Sequence, residues 1–500
     1  MGRLRILQVK VNISGLDLSQ EVGPLIRSFF PKTEIEINYG GKEENTETSG
    51  DDSVIDLELE DTGFRIFLDG EKVGEETFTY VDVPDSNMVY EKRRKRAYKN
   101  QLLRGLYREL SKKTGRTLPW GILTGVRPTK LCFERLKNNT VGNISYMMDE
   151  YLCSPKKAGM AQKVAARELE LLGSIDYKNG YSLYVGIPFC PSICNYCSFG
   201  SHPIDRFGNL VQDYIDALKK EIESTCGLLK DKKLQTVYFG GGTPTAVTAD
   251  QLRSVIDKVK DCFDMKNVIE FTVEAGRPDS IDEEKMQMLK EEGISRISIN
   301  PQSMRQKTLD LIGRRHTAEQ TVKAFELARK TGFDNINMDL IAGLSGEVFE
   351  DMQYTLDEVG RLSPDSITVH TLALKRAAKL TTEKENYSSM EAKDVTRMVD
   401  YAADFCMDRG YEPYYLYRQK NMTENLENVG YARKGKEGLY NILIMEEVQM
   451  ILALGAGASS KFIDRNMTNG RRFGRVENVK NVAEYISRID EMAERKKNAF

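Results

Sequence analysis

The stretch Tyr184-Val-Gly-Ile-Pro-Phe-Cys-Pro-Ser-Ile-Cys-Asn-Tyr-Cys-Ser-Phe199 places three cysteines in one short loop, directly after a β-like run. Cys190, Cys194 and Cys197 follow the spacing C-x3-C-x2-C, with no fourth cysteine nearby. Three thiolates can hold three irons of a 4Fe–4S cluster and leave the fourth iron open to another ligand. The spacing therefore indicates a reactive cluster at which a small molecule binds.

A zinc site, or a buried group of thiols, is the alternative interpretation of these cysteines. Structural zinc sites usually take four ligands, commonly in two close pairs. No second pair of cysteines is present, and the only histidines are His202, His316 and His370. The pattern therefore favours iron and sulfide over zinc.

Length and composition narrow the class of protein. A chain of 500 residues predicts two or three domains, and its 40% hydrophobic and 29% charged residues are typical of a soluble globular protein. A net charge of −3 argues against a nucleic-acid or membrane partner. Eight scattered cysteines, no membrane-length apolar run and no signal-peptide pattern predict a cytoplasmic protein without disulfides. An exposed cluster also predicts an anaerobic or low-oxygen setting.

Four segments differ in their hydrophobic pattern. We expect a small β-rich domain over residues 1–85, a helical connector over 86–178, a core domain over 179–375 and a mixed, mostly helical C-terminal domain over 376–500. In the core domain, apolar β-rich runs alternate with amphipathic stretches such as Leu210–Leu229 and Thr317–Thr331. The six predicted strands are Tyr181–Ile187, Leu234–Phe239, Val268–Val273, Arg296–Ile299, Asn335–Ile341 and Ser366–Thr371.

Six repeated βα units imply a parallel sheet, either open or closed into a barrel. Right-handed crossovers place the carboxyl ends of all six strands on one side, and in such folds the chemistry lies at those ends. The cysteine loop follows the first strand. It is therefore expected at that side.

The next strands end in residues suited to a polar ligand. The glycines of Gly240–Thr245 allow a close backbone approach, although a tight turn alone would also explain them. Glu274 ends an apolar strand, where it requires a partner such as a ligand ammonium group or a neighbouring Lys or Arg. Asp339 lies within another apolar run and could accept hydrogen bonds from a ribose or cap a turn. Gln302 and Arg314 follow the fourth strand, and Arg314 could bind a carboxylate or lie at the surface.

These motifs resemble the radical SAM superfamily and, more narrowly, the oxygen-independent coproporphyrinogen III oxidase (dehydrogenase) family, in its branch with an extra N-terminal domain. The likeness covers about residues 181–460. It implies an α/β fold: a partial (β/α)6 barrel with a small N-terminal α+β domain and a mostly helical C-terminal domain around a substrate cavity. The residues that carry it are Tyr184, Pro188–Cys190, Tyr196, Phe199, Gly240–Thr245, Gln302, Arg314 and Asp339–Leu344.

The resemblance also implies cofactors and a reaction. Cys190, Cys194 and Cys197 would bind the 4Fe–4S cluster, and a second S-adenosyl-L-methionine (SAM) would lie beside the first. A flavodoxin- or ferredoxin-type donor would supply electrons. A SAM-derived 5′-deoxyadenosyl radical would then decarboxylate two propionates of coproporphyrinogen III to give protoporphyrinogen IX. The residues implied to contact SAM are Tyr184, Gly242, Thr243, Glu274, Gln302, Arg314 and Asp339.

One position departs from the family pattern. The family commonly has a histidine two residues after the tyrosine that matches Tyr184, whereas this chain has Gly186. This departure leaves open the alternatives of a heme-binding chaperone or a heme-ring-opening relative. A radical SAM enzyme that modifies RNA through the basic segment Lys92–Arg96 is a further alternative.

A porphyrinogen substrate needs aromatic walls and cationic groups for its four carboxylates. Tyr415, Tyr417 and Arg418 offer both in one segment, and alternate residues of a strand share a face. The alternative is an aromatic strand packed in the core. Lys375 and Arg376, after the sixth strand, are further candidates.

Overall fold

The computed structural model describes residues 8–31, 33–40, 52–82, 89–197, 200–372, 392–418, 425–463 and 473–500. The chain divides into two compact units. The first comprises Met1–Gln162 and Arg418–Leu426, and the second comprises Lys163–Tyr417 and Glu427–Phe500. Within the described part of the chain, none of the helices has the length and apolar character needed to cross a bilayer.

The first unit contains a five-stranded sheet with the order β2-β1-β3-β4-β5. Strand β1 runs parallel to β2 and β3, and β4 is antiparallel to both of its neighbours. Side chains alternate along β1, since Val9, Val11 and Ile13 are buried and the residues between them are partly exposed. The strands are β1 Gln8–Gly15, β2 Glu34–Tyr39, β3 Ser53–Glu60, β4 Gly63–Leu68 and β5 Glu71–Thr77.

One helix lies between β1 and β2 of this sheet, and further helices follow β5. Helix α2 buries its apolar residues Leu102, Leu106 and Leu110, whereas Lys92 and Lys95 in its basic first turns are exposed. That exposure fits a solvated helix face. The helices are α1 Ser19–Phe29, α2 Tyr90–Thr114, α3 Lys130–Lys137, α4 Asn143–Tyr151 and α5 Pro155–Gly173, the last of which crosses the boundary between the units.

The second unit contains an eleven-stranded sheet with the order β14-β15-β13-β12-β11-β10-β9-β6-β16-β17-β18. Its centre is the predicted set of six parallel strands, and the sheet is open because its two edge strands do not pair within the described residues. These strands are near-continuous apolar runs, as expected where helices cover both faces. They are β6 Gly180–Ile187, β9 Lys233–Gly241, β10 Glu270–Glu274, β11 Arg296–Ser298, β12 Ile336–Ala342 and β13 Ser366–Thr371.

Helices connect these strands. Thr317 begins one of them with a capping box: its Oγ1 accepts from the Gln320 backbone at 3.1 Å, and Gln320 Oε1 accepts from the Thr317 backbone at 2.8 Å. The helices of this unit after α5 are α6 Ile204–Phe207, α7 Val211–Thr225, α8 Ala249–Cys262, α9 Glu283–Glu291, α10 Gln306–Leu311, α11 Ala318–Lys330, α12 Phe349–Leu362, α13 Ala392–Asp408, α14 Leu439–Met445, α15 Val482–Ser487 and α16 Ile489–Lys497.

The C-terminal residues also extend the main sheet. Strand β16 pairs in parallel with β6, and β15 pairs antiparallel with β13. Short apolar runs such as Met450–Leu454 do not by themselves distinguish a strand from a buried helix. The remaining strands are β7 Phe189–Cys190, β8 His202–Pro203, β14 Glu412–Tyr417, β15 Asn428–Ala432, β16 Met450–Leu454, β17 Ser459–Ile463 and β18 Phe473–Glu477.

A buried ion pair supports the end of β6. Glu221 and Lys496 are both fully buried, with 2.6 Å between carboxylate and ammonium. Glu221 also accepts from the Gly455 backbone at 2.8 Å. Gly455 in turn lies against the carbonyl of Gly186, where a Cβ would come within 2.5 Å of the oxygen. The absence of side chains at both glycines therefore lets this turn pack directly against β6.

Candidate functional site

The three cysteines lie at the carboxyl end of β6, as predicted. Cys190 ends the short strand β7, which pairs with β8, and Cys194 and Cys197 follow in the loop. Cys190 and Cys194 are buried and Cys197 is partly exposed. The Cys197 backbone donates to the Cys194 carbonyl at 3.1 Å, which forms a tight turn between them. All eight cysteines are among the described residues and are thiols, not disulfides.

The glycine-rich loop after β9 holds the cysteine loop from one side. The backbone of Gly242 donates to Ile187 at 2.9 Å, and that of Thr243 donates to Phe189 at 2.7 Å. The Oγ1 of Thr243 lies 3.4 Å from the Sγ of Cys190. A Cβ on Gly242 would stand 3.0 Å from that same Sγ and 2.6 Å from the Phe189 carbonyl oxygen. The glycine is therefore required for this close approach.

The loop after α10 holds the cysteine loop from another side. Asn195 donates to Ile312 through its backbone at 3.0 Å and to Leu311 through its amide at 3.1 Å. Arg314 donates to the Tyr196 hydroxyl at 3.1 Å and to the Asn300 carbonyl at 2.6 Å. Arg314 follows α10 in a loop. It is buried, so its guanidinium belongs to the site and not to the surface.

Tyr238 of β9 and Glu274 at the end of β10 form a partly buried pair. The Tyr238 hydroxyl donates a short hydrogen bond to Oε1 of Glu274. Burial raises the pKa of Glu274 to about 7, and the nearby charge of Asp339 acts in the same direction. Glu274 is thus poised between its acid and its carboxylate forms near neutral pH. A ligand ammonium group placed here would favour the carboxylate.

Asp339 on β12 is held by two neighbours. The amide of Asn337 donates to its Oδ1 at 2.7 Å, and Nε2 of His370 lies 3.7 Å from its Oδ2. Burial tends to raise the pKa of Asp339, but hydrogen bonding and charge from His370 hold that pKa below its ordinary value. Asp339 is therefore a carboxylate, ready to accept hydrogen bonds from hydroxyl groups.

Gln302 occupies a strained backbone position between β11 and β12. Its φ is 67°, and it forms an isolated bridge with Leu340 through hydrogen bonds of 2.9 and 3.0 Å to neighbouring backbone groups. Its side-chain Oε1 is buried and has no hydrogen-bond partner. Strain and an unpaired buried oxygen are typical of a ligand site. The oxygen would accept a hydrogen bond from a bound polar molecule.

Three tyrosine rings stack near these strand ends. The centroids of Tyr238 and Tyr440 are 4.5 Å apart, and Tyr184 stacks on them at 6.2 and 6.4 Å. Gly186 leaves room for this arrangement, because a Cβ there would stand 3.4 Å from the Tyr184 ring and 3.3 Å from the Leu454 carbonyl oxygen. The stack gives the site a flat aromatic wall.

The structure treats the predicted substrate residues in three ways: two tyrosines stack on each other, one arginine donates to backbone carbonyls, and two residues lie outside the described ranges. Tyr415 and Tyr417 stack at 6.2 Å with ring planes 10° apart, as residues on one face of a strand should. Arg418 is only 2% exposed and belongs to the first unit. Its guanidinium donates to the backbone carbonyls of Leu123, Gly125 and Asn425, so these donors are already used within that unit. Lys375 and Arg376 lie outside the described residues.

Several residues of this site had no role predicted from the sequence. Tyr440 comes from α14, far along the chain, and no local pattern marks it. His370 and Arg277 follow or end strands at the same edge as the cysteines, so their position along the predicted strands was a usable signal. Arg277 is 3% exposed and lies against the cysteine loop.

Comparisons with known proteins identify the family of this chain. A sequence model of the radical SAM superfamily matches residues 184–359. The oxygen-independent coproporphyrinogen-III oxidase-like protein HemZ of Bacillus subtilis is 40% identical over 472 residues, which cover 93% of this chain and 92% of HemZ. The chain belongs to this radical SAM family. As such, it uses a 4Fe–4S cluster and SAM, and it requires a reductant and a substrate.

Other relatives of this radical SAM protein match over shorter lengths. The heme chaperone HemW of Bacillus subtilis is 34% identical over 39% of this chain and 51% of HemW. The solved structure of coproporphyrinogen III oxidase HemN from Escherichia coli has a TM-score of 0.52 and 22% identity, and covers 65% of this chain and 73% of HemN. That structural likeness confirms the radical SAM fold.

The residues of the site fit these cofactors. No group of three or more His, Cys, Asp or Glu side chains within the described residues is gathered closely enough to hold a single metal ion. A cubane cluster makes a different demand, since each cysteine binds its own iron. Burial raises the pKa of the Cys190 thiol to about 11. The positive charge of bound iron would act against this effect and favour the thiolate. The unpaired oxygen of Gln302 and the carboxylate of Asp339 suit the polar groups of SAM.

Proposed function

We propose that this chain is an oxygen-independent coproporphyrinogen III oxidase (dehydrogenase), which converts coproporphyrinogen III to protoporphyrinogen IX in the cytoplasm. One observation carries the proposal: the 40% identity to the oxidase-like HemZ extends over 93% of the chain, including the site and the segments on either side of it. When bound, the cluster and SAM supply a 5′-deoxyadenosyl radical that abstracts hydrogen from a propionate side chain.

The chain's own residues orient the reactants. Cys190, Cys194 and Cys197 bind the cluster. The carboxylate of Glu274 would pair with the ammonium group of SAM. Asp339, which is ionised, and Gln302, whose buried oxygen has no partner, would accept hydrogen bonds from the ribose and adenine portions of SAM. The remaining predicted SAM contacts are Tyr184, Gly242, Thr243 and Arg314. A second SAM would bind beside the first.

The aromatic residues form the substrate side of the site. The stack of Tyr184, Tyr238 and Tyr440 presents flat apolar surface to a macrocycle and excludes water from the strand ends. Tyr415 and Tyr417 offer a second stacked pair on β14. Lys375 and Arg376, after β13, would meet the propionate carboxylates. A flavodoxin- or ferredoxin-type protein would deliver the electron.

The test is an anaerobic reaction of the reconstituted protein with SAM, dithionite and coproporphyrinogen III, followed by mass spectrometry of the porphyrins. We expect tricarboxylic and dicarboxylic products together with 5′-deoxyadenosine. The variant Cys194→Ala should form neither, whereas Cys226→Ala, which changes a cysteine outside the loop, should match the wild type. Deoxyadenosine without decarboxylated porphyrin would refute this reaction while leaving the radical SAM assignment intact.

A heme chaperone is the second candidate, because the HemW relative of Bacillus subtilis is 34% identical over 195 residues of this chain. Absorption titration of the reconstituted protein with heme distinguishes the two. Tight stoichiometric heme binding that survives gel filtration, without porphyrin products, would favour the chaperone. Absence of heme binding together with product formation would favour the oxidase.

A further inference from the structure

Arg277 is a buried cation beside the cysteine loop. It follows β10 and is 3% exposed. Its Nη1 donates to the carbonyl of Ser192 at 3.1 Å and to the Sγ of Cys194 at 3.6 Å, and its Nη2 donates to the Ser192 hydroxyl at 3.0 Å. One guanidinium therefore contacts both the backbone of the cysteine loop and a cysteine sulfur.

The guanidinium is fixed from its other edge. Asp279 accepts from Nε at 2.9 Å and from Nη2 at 2.7 Å, a bidentate arrangement that sets the plane of the fork. The carbonyl of Arg277 accepts from the hydroxyl of Ser280 at 2.7 Å, and that hydroxyl lies 2.7 Å from Oγ1 of Thr245 in the glycine-rich loop. Arg277 is thus tied both to its own turn and to the loop that holds Cys190.

The surroundings of Arg277 leave positive charge facing Cys194. Arg314 is a second buried guanidinium near this sulfur, and Asp279 is the acidic group paired with Arg277. His316 is also buried close by, and burial together with the two arginines lowers its pKa to about 3, so it is neutral. Two cations and one carboxylate therefore surround the loop on this side, and the charge nearest Cys194 is positive.

We propose that Arg277 is a positioning residue for the iron–sulfur cluster, which fixes the loop at Ser192 and raises the cluster's reduction potential through its hydrogen bond to Cys194. Hydrogen bonds to cluster sulfurs and nearby positive charge both favour the reduced, more negative state. A lysine would keep the charge but cannot bond Ser192, Cys194 and Asp279 together, because it lacks the planar fork. The inference depends on the cluster and is independent of the substrate.

The experiment compares Arg277→Lys, Arg277→Gln and Ser192→Ala with the wild type after anaerobic reconstitution. Iron and sulfide content, the unfolding temperature and the midpoint potential from an EPR-monitored titration without SAM are measured for each. Arg253→Gln is the matched control, because Arg253 lies on α8, is partly exposed and forms a 2.8 Å ion pair with Glu291.

We expect Arg277→Gln to shift the midpoint potential to more negative values, and Arg277→Lys to shift it less. Ser192→Ala should leave the potential unchanged but speed iron loss to a chelator, since it keeps the contact to Cys194. If Arg277→Gln and Arg277→Lys both fail to retain iron while unfolding at the wild-type temperature, the positioning role is supported. Wild-type iron content with a wild-type potential in either Arg277 variant overturns the proposal, as does a shift of equal size in Arg253→Gln.

Discussion

The hydroxyl of Tyr238 donates to the carboxyl of Glu274 at the ends of two adjacent parallel strands. The same carboxyl is influenced by the charge of Asp339, two strands away in the sheet. Burial and this like charge outweigh the hydrogen bond, so the pKa of Glu274 is raised to about 7 and the group is poised between its acid and carboxylate forms near neutral pH. A cationic ligand group placed here would favour the carboxylate.

Glu274 should make the protein without SAM less stable as pH rises from 5 to 7, whereas His316, whose pKa is lowered to about 3, acts in the opposite direction up to its ordinary value of 6.5. The pKa of Glu274 is about 7 in the folded chain and 4.5 as an ordinary side chain, so the folded state holds an extra proton between these values. Each unit of difference corresponds to about 1.4 kcal/mol. Glu274→Gln should therefore remove about 1–3 kcal/mol of pH-dependent loss in the free energy of unfolding between pH 5 and 7. Urea unfolding at several pH values measures it.

The control for this measurement is Glu319→Gln. Glu319 is exposed, and its hydrogen bond with Lys323 holds its pKa below the ordinary value, which gives the opposite sign. Replacing Glu319 should leave the contribution of Glu274 to the free energy of unfolding between pH 5 and 7 unchanged. A Glu274→Gln protein with the same pH slope as the wild type would contradict the assigned protonation.

Replacing Gln302 by leucine should separate stability from SAM binding. The buried Oε1 of Gln302 has no partner, so its loss should leave the free energy of unfolding unchanged or slightly higher. SAM binding should weaken about tenfold, which corresponds to one hydrogen bond of about 1–1.5 kcal/mol. Equilibrium dialysis with the reconstituted protein measures the affinity. The exposed Gln287→Leu serves as control, and an unchanged SAM affinity in Gln302→Leu would remove Gln302 from the site.

Substituting Gly242 by alanine should impair cluster loading. The new Cβ would press on the Cys190 Sγ and the Phe189 carbonyl, at 3.0 and 2.6 Å, so the two loops would have to separate. We expect iron content after reconstitution to fall by at least half. Gly173→Ala is the matched control, since nothing lies within 4 Å of its Cβ position. Full iron content in Gly242→Ala would show that the loops adapt.

Removing one partner of the buried pair Glu221–Lys496 should destabilise the second unit strongly. Lys496→Met leaves the Glu221 carboxylate buried without its cation, at a cost of about 3–5 kcal/mol. The double variant Glu221→Gln with Lys496→Met should recover part of that loss, because no charge then remains buried. Urea unfolding compares the three proteins. Additive losses in the double variant would contradict this account.

The sequence predicted the fold of the second unit closely. The six apolar runs became the six parallel strands, and the three cysteines, Glu274, Gln302 and Asp339 lie at their carboxyl ends. These features are local: strand periodicity and motif spacing depend on neighbouring residues, and parallel connections then place every strand end on one edge. Family membership followed from the same motifs.

Other features depended on contacts between residues distant in sequence. Arg418 resembled a substrate cation, yet its fork is satisfied by carbonyls nearly three hundred positions away in the chain. Arg277 had no predicted role, yet it donates to Cys194, more than eighty positions earlier in the chain. Tyr440 joined the aromatic wall only because α14 packs near β9.

The sequence by itself determined the strands, the cysteine motif and the family. Only the tertiary structure decided which cations and rings meet, because side-chain pairing depends on how distant segments pack and not on local spacing.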